Sequence, residues 1–138
     1  MSDEVVAQAV AEREFARFLD AMDLTEKVST KTLDADDRKA FDANKVVVLL
    51  AMRRGALVID EQGQPIFTPV KGVDQKPIVF KEPTGATIKA LDQAKKDNGG
   101  ERTIILLGAI TGEVQARFVK MVRRDLAVCE SLALLFFA

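Results

Sequence analysis

Apolar residues recur at helical spacing from the start of the chain. Ala11, Phe15, Phe18, Leu19 and Met22 share one side, and Glu12, Arg13, Glu14, Arg17 and Asp20 take the other. Ser2 can cap such a helix, with Asp3 and Glu4 as first-turn negative charge, so the pattern predicts an amphipathic helix from Ser2 to about Met22. Residues 23–32 are polar and without period, and read as a connection. Asp34 or Asp36 then caps a second helix, with Phe41, Val48, Leu49 and Met52 as its stripe. Val46, Val47 and Leu50 make the second half of this helix apolar nearly all round. A helix of that kind is buried on most sides or meets another chain. Arg53 and Arg54 suit its carboxyl end, and Gly55 suits a left-handed cap.

The period then changes. Leu57-Val58-Ile59 and Pro65-Ile66-Phe67-Thr68 flank Glu61-Gln62-Gly63-Gln64, which predicts a hairpin. Pro69, Gly72 and Pro77 interrupt the next stretch, so strands here are short or lie at edges. Ile78-Val79-Phe80 is a candidate third strand, and so small a sheet needs helices to pack on. Pro83 holds Glu82 extended, and Thr84 is placed to cap a third helix carrying Ile88, Leu91 and Ala94. Asn98-Gly99-Gly100 reads as the turn that ends it. The apolar run from Ile104 to Ile110 fits a strand or a buried helix by length. The helical patterns on both sides favour helix. Thr111-Gly112 punctuates it. Val114, Phe118, Met121 and Val122 recur at helix spacing, and Asp125 is a candidate cap for a last helix, Leu126 to Phe137.

These elements predict an α+β fold, mainly α, with about five helices and a small antiparallel hairpin or three-stranded sheet in the middle. The chain reads as a single domain over residues 1–138. It is helical over 1–55, β over 56–82 and helical again over 83–138. Hydrophobic residues at 48% and charged residues at 30% are ordinary globular usage, enough for one real core.

Composition narrows the chemistry. The absence of histidine removes the commonest general base and metal ligand. Cys129, the one cysteine, has no histidine to activate it and reads as a small core residue. Asp34, Asp36 and Asp37 form the densest carboxylate cluster, but they lack the alternating ligands and closing glutamate of a calcium loop. Gly99-Gly100 lacks the pattern of a phosphate loop. The expectation is a chain that is not an enzyme and takes no cofactor or metal.

A net charge of −1 gives no electrostatic pull toward nucleic acid. No apolar run approaches the ~18 residues of a membrane helix, and the acidic N-terminus is no secretory signal. The expected setting is cytosolic, with neither nucleic acid nor membrane as partner.

Two stretches remain as candidate surfaces. Arg117, Lys120, Arg123 and Arg124 form a basic stripe opposite Val114 and Phe118. It is either a solvated face or a docking surface for an acidic partner. Leu132-Ala133-Leu134-Leu135-Phe136-Phe137 either closes the chain's own core or forms a subunit or client interface.

From Ile78 onward the chain resembles the phage tail assembly chaperones. A strand runs into Lys81-Glu82-Pro83-Thr84-Gly85-Ala86, and a helix with Ile88 and Leu91 follows. An apolar segment ends in Ile110-Thr111-Gly112. Asp125 comes after a helix bearing Val114, Phe118 and Val122, and the last helix ends in aromatics. The residues before Ile78 depart from the shortest members, which begin near this strand.

The resemblance implies a protein that does no chemistry. It would self-associate into a ring or spiral and bind the tape measure protein, an apolar helical rod, until tail tube protein polymerises around it. It would act in the host cytoplasm and be absent from the mature virion. The family often makes a longer product by ribosomal frameshifting, and Phe136-Phe137-Ala138 is compatible with a slippery run of thymines followed by guanine. On this reading Val46, Val47, Leu50, Leu132, Leu134, Leu135, Phe136 and Phe137 supply subunit and client contacts, beside Arg117, Lys120 and Arg124. The rival readings are a tail or baseplate structural component retained in particles, and a small regulatory protein binding DNA through Arg117 to Arg124.

Overall fold

A computed structural model of the chain describes residues 5–26, 28, 33–72, 74–93 and 99–136. Among these residues six helices surround a three-stranded antiparallel sheet, so the fold is α+β and mainly α, as the pattern predicts.

The first helix, α1, runs Gln8–Ala21 and begins later than expected. Val5 and Val6 precede it, and both of their N–H groups donate to the Arg53 carbonyl at 2.7 and 2.9 Å. The entering chain is therefore tied to the end of the next helix. The expected cap at Ser2, Asp3 and Glu4 lies outside the described residues. The connection after α1 is less polar in effect than its composition suggests, since Leu24 and Val28 are buried.

The second helix, α2, runs Ala35–Arg53. Asp34 is its cap, accepting from the Asp37 N–H at 2.8 Å, and Asp36 and Asp37 sit in the first turn. Gly55 closes it at φ 79°, donating to the Met52 carbonyl while Ala56 donates to that of Ala51, both at 3.0 Å. This pair of bonds satisfies carbonyls that the helix end leaves open.

Strands β1 (Leu57–Ile59), β2 (Pro65–Phe67) and β3 (Ile78–Val79) come next, in the order β1-β2-β3. Leu57 pairs with Phe67, and Ile66 with Val79. Pro65 opens the middle strand, the position where a missing donor costs least. Leu57, Ile59, Phe67 and Ile78 are buried, while Val58 is exposed, as strand alternation requires. One face of the sheet thus joins the core, and β1 also packs on α1 and α2.

Helix α3 spans Gly85–Gln93. Its start is stabilised by Thr87, whose Oγ1 accepts from the Thr84 N–H at 3.1 Å. That is the reciprocal half of a capping box, made by threonine in place of glutamate. Ile88, expected on the apolar side, is 55% exposed, and buried Thr87 takes the inward position. Helix α4 spans Gly99–Thr111, so Gly99 and Gly100 lie in a helix's first turn rather than in a turn between helices. The apolar run 104–110 is helical, and the Thr111 hydroxyl donates to the Leu107 carbonyl at its end.

The last expected pair of helices is divided differently. Helix α5 is only Gln115–Val119, and α6 runs Arg123–Phe136. Asp125 therefore does not cap the last helix. It sits within the first turn of α6, and its carboxylate serves a distant loop instead.

Helix α6 packs chiefly on α2 and also on α4. Phe18 of α1 stands edge-on to Phe136 of α6, with centroids 5.4 Å apart and planes at 86°. Phe15 lies 6.1 Å from both Phe18 and Phe41, which extends the aromatic cluster into α2. Such geometry adds a favourable quadrupole contribution to the area these rings bury.

Candidate functional site

The basic stripe is only partly a surface. Arg117 on α5 has a side chain just 7% exposed. Its guanidinium holds Asp74 at 3.2 Å and pairs with Glu113 one turn earlier. It also donates to the Lys76 carbonyl. Arg117 therefore fastens the loop before β3 onto α5. This corrects the expectation that it faces a partner, because its charge is already neutralised within the fold.

Asp125 fastens the neighbouring part of that loop to α6. Its carboxylate, 1% exposed, accepts from the Val70 N–H at 3.1 Å by both oxygens and from the Lys71 N–H at 3.1 Å. A buried carboxylate is tolerated here because backbone donors replace the water it loses. The loop before β3 is thus held at two points, at Val70 and Lys71 and at Asp74 and Lys76, by side chains more than forty positions later. The hold brings the backbone of Lys71 beside the first turn of α6.

Between this loop and α5 lies a cleft of about 300 Å³. Val114, Ala116 and Met121 give it an apolar wall, and Lys71 and Lys120 stand at its margins. Val114 is 73% exposed. Arg123 and Arg124, in the first turn of α6, are also exposed. The structure thus brings Lys120 of the expected stripe to the same cleft as Lys71, while Arg124 stays exposed on the first turn of α6. Sequence reasoning missed Lys71 because only the contacts of Asp125 place it there.

The apolar candidates separate in the same way. Leu132, Leu135 and Phe136 are buried against the chain's own helices, so they are core residues and offer no surface. Of the expected C-terminal contacts Leu134 alone is exposed, at 52%, and Phe137 lies outside the described residues. On α2, Val48, Leu49 and Met52 are buried inward, while Val46 is 64% exposed and Val47 and Leu50 are half-buried. Val47 packs against the core, which corrects the expectation that it meets a partner, and Val46 and Leu50 form the apolar part of the helix's outer side.

A second groove, of about 370 Å³, runs between α1 and β1 past Val6, Val10, Met52 and Val58. Its strand edge is partly occupied, because the Arg17 guanidinium donates to the Ile59 and Asp60 carbonyls at 2.7 and 2.6 Å. Blocking of this kind keeps a short edge strand from recruiting another.

Cys129 lies at the buried side of α6, with its sulfur 3.8 Å from that of Met121. Burial pushes the thiol up to about 12, with the Asp125 carboxylate adding to the effect. A group whose acid is weakened by folding stabilises the fold fully below its unfolded value. That contribution is lost as pH rises, from about 8.5 toward about 12. Native protein is therefore expected to resist a thiol-specific disulfide reagent at pH 8, and to react at once in denaturant. Equal rates in the two states would show that the thiol is not enclosed.

Among the described residues no group of three or more Cys, Asp or Glu side chains is placed to hold a metal ion. No helix among them is long and apolar enough to cross a membrane. Comparison with protein-family models, curated proteins and solved structures gives no match.

Proposed function

We propose that this chain is a non-enzymatic assembly chaperone of the phage-tail kind. It self-associates and binds the tape measure protein in the host cytoplasm, keeping it soluble while the tail is built, and it does not remain in the virion. The observation that carries this reading is the outer side of α2. The core takes Val48, Leu49 and Met52, with Val47 packed against it, and the same two turns leave Val46 exposed and Leu50 half-buried outside it. The inward residues already close the core, so the outward ones are free to meet a partner helix. Leu134 on α6 offers a further exposed apolar side chain. Contacts made through a few exposed apolar side chains are reversible, which suits a protein that must release its client.

Light scattering on purified protein tests self-association. Wild type is expected to run as an oligomer. Val46→Asp combined with Leu134→Asp is expected to run as a monomer with unchanged far-ultraviolet circular dichroism. A wild type that stays monomeric at high concentration would remove the self-association. Co-expression with the long helical protein encoded by the next gene tests the client. The reading predicts that this protein becomes soluble only when the chain is present, and insolubility in both conditions would refute it.

A further inference from the structure

Lys71 and Lys120 line the cleft, and Arg123 and Arg124 share the first turn of α6 with Asp125, which holds the Lys71 amide. Lys71, Lys120, Arg123 and Arg124 make no side-chain ion pair or hydrogen bond among the described residues. The acids around them are already engaged. Asp74 and Glu113 hold Arg117, and Asp125 accepts the Val70 and Lys71 amides. Arg123 and Arg124 also sit in the first turn of α6, where the helix dipole disfavours positive charge. The fold gains nothing visible from placing cations there, whereas a bound anion would.

Lys71 and Lys120 border the cleft between the loop before β3 and α5, whose wall is aliphatic. We propose that this cleft docks an acidic, amphipathic peptide segment of a partner protein. An apolar side chain of that segment seats against Val114 and Met121. Its carboxylates meet Lys71 and Lys120, with Arg123 and Arg124 extending the positive border. Charge complementarity sets the orientation, and the apolar wall supplies area that a purely ionic contact lacks. A nucleic acid would want aromatic platforms for its bases, and the one aromatic residue of α5, Phe118, is fully buried. A membrane would want a flat or convex basic face, whereas this one is concave. The site stands apart from the outer side of α2, so it survives if that side proves to have no partner.

The test is a methyl-detected NMR titration of the full chain with a short, capped helical peptide. The peptide carries glutamates on either side of a central leucine and phenylalanine, and a twin has glutamine at each glutamate. The acidic peptide is expected to shift the Val114 and Met121 methyl signals first. The glutamine twin should bind roughly tenfold more weakly, and added salt should weaken the acidic peptide. Lys71→Glu with Lys120→Glu should abolish the shifts while the remaining spectrum keeps its dispersion. Unmoved Val114 and Met121 signals at millimolar peptide would overturn the proposal, and so would equal binding of the twin. Displacement of the peptide by oligothymidylate would assign the site to nucleic acid. Displacement by phosphatidylserine vesicles would assign it to a lipid surface. Either result would overturn the proposal too.

Discussion

Phe136→Ala is expected to lower the free energy of unfolding by about 3–5 kcal/mol. The ring is 6% exposed and meets fully buried Phe18 edge-on at 5.4 Å. Truncation removes the transfer free energy of the ring and leaves a cavity between α6 and α1. Phe18, the neighbour that would have to collapse into it, is fully buried and held in close packing. A domain of this size has roughly 5–15 kcal/mol in all, so the loss is a large share of its stability. Urea denaturation should show a lower midpoint at unchanged slope. Leu134→Ala, on the same helix but half exposed, should stay within about 0.5 kcal/mol of wild type. The contrast between neighbours in sequence is the informative result. If Phe136→Ala dissolves an oligomer while the monomer keeps its stability, the ring belongs to an interface instead of the core.

That contrast also marks how far the sequence could be read. Local chemistry was legible wherever local chemistry decides. Asp34 and Gly55 close the ends of α2, and the 61–64 turn joins β1 to β2. The apolar segment after Gly100 is a helix, as its neighbours suggested. The apolar run of the last helix was visible too, but its destination was not, because periodicity reports which side is apolar and never what covers it. Here α2 covers it, from more than seventy positions earlier.

The same limit applies to charge. Arg117 belongs to a stripe by spacing, yet Asp74 and the Lys76 carbonyl withdraw it into the fold. Asp125 reads as the cap of the last helix, and instead it lies inside the first turn of α6. Its carboxylate turns to the Val70 and Lys71 amides, across a separation no local pattern encodes. The break between α5 and α6 falls at residues 120–122, which hold no proline or glycine to announce it. Of the candidate surface residues, Val46 and Lys120 are exposed. Lys71 could be found only through the loop that Asp125 holds.

Gly63→Ala should be nearly as damaging as loss of a core ring, although it adds a single methyl group. Gly63 sits in the β1–β2 turn at φ 81°, where an L side chain costs about 1–2 kcal/mol. A Cβ placed there would lie 2.2 Å from the Cβ of Ala21, at the end of α1. Neither partner can step aside easily. The turn is fixed internally, with the Asp60 carboxylate accepting from the Gln62 and Gln64 amides and its carbonyl accepting from Gly63. It is also fixed to α1, through the Arg17 guanidinium on the Ile59 and Asp60 carbonyls. Forcing helix and turn apart adds an overpacking cost of about 1–3 kcal/mol, so the total is about 3 kcal/mol. Ala21→Gly removes the clash and leaves the backbone strain. The double variant should therefore recover part of the loss, with a coupling of at least about 1 kcal/mol in a double-mutant cycle. Additive losses would mean that the turn does not rest on α1. In that case the Arg17 bonds and the core packing of β1 would hold the sheet to the helix without the turn.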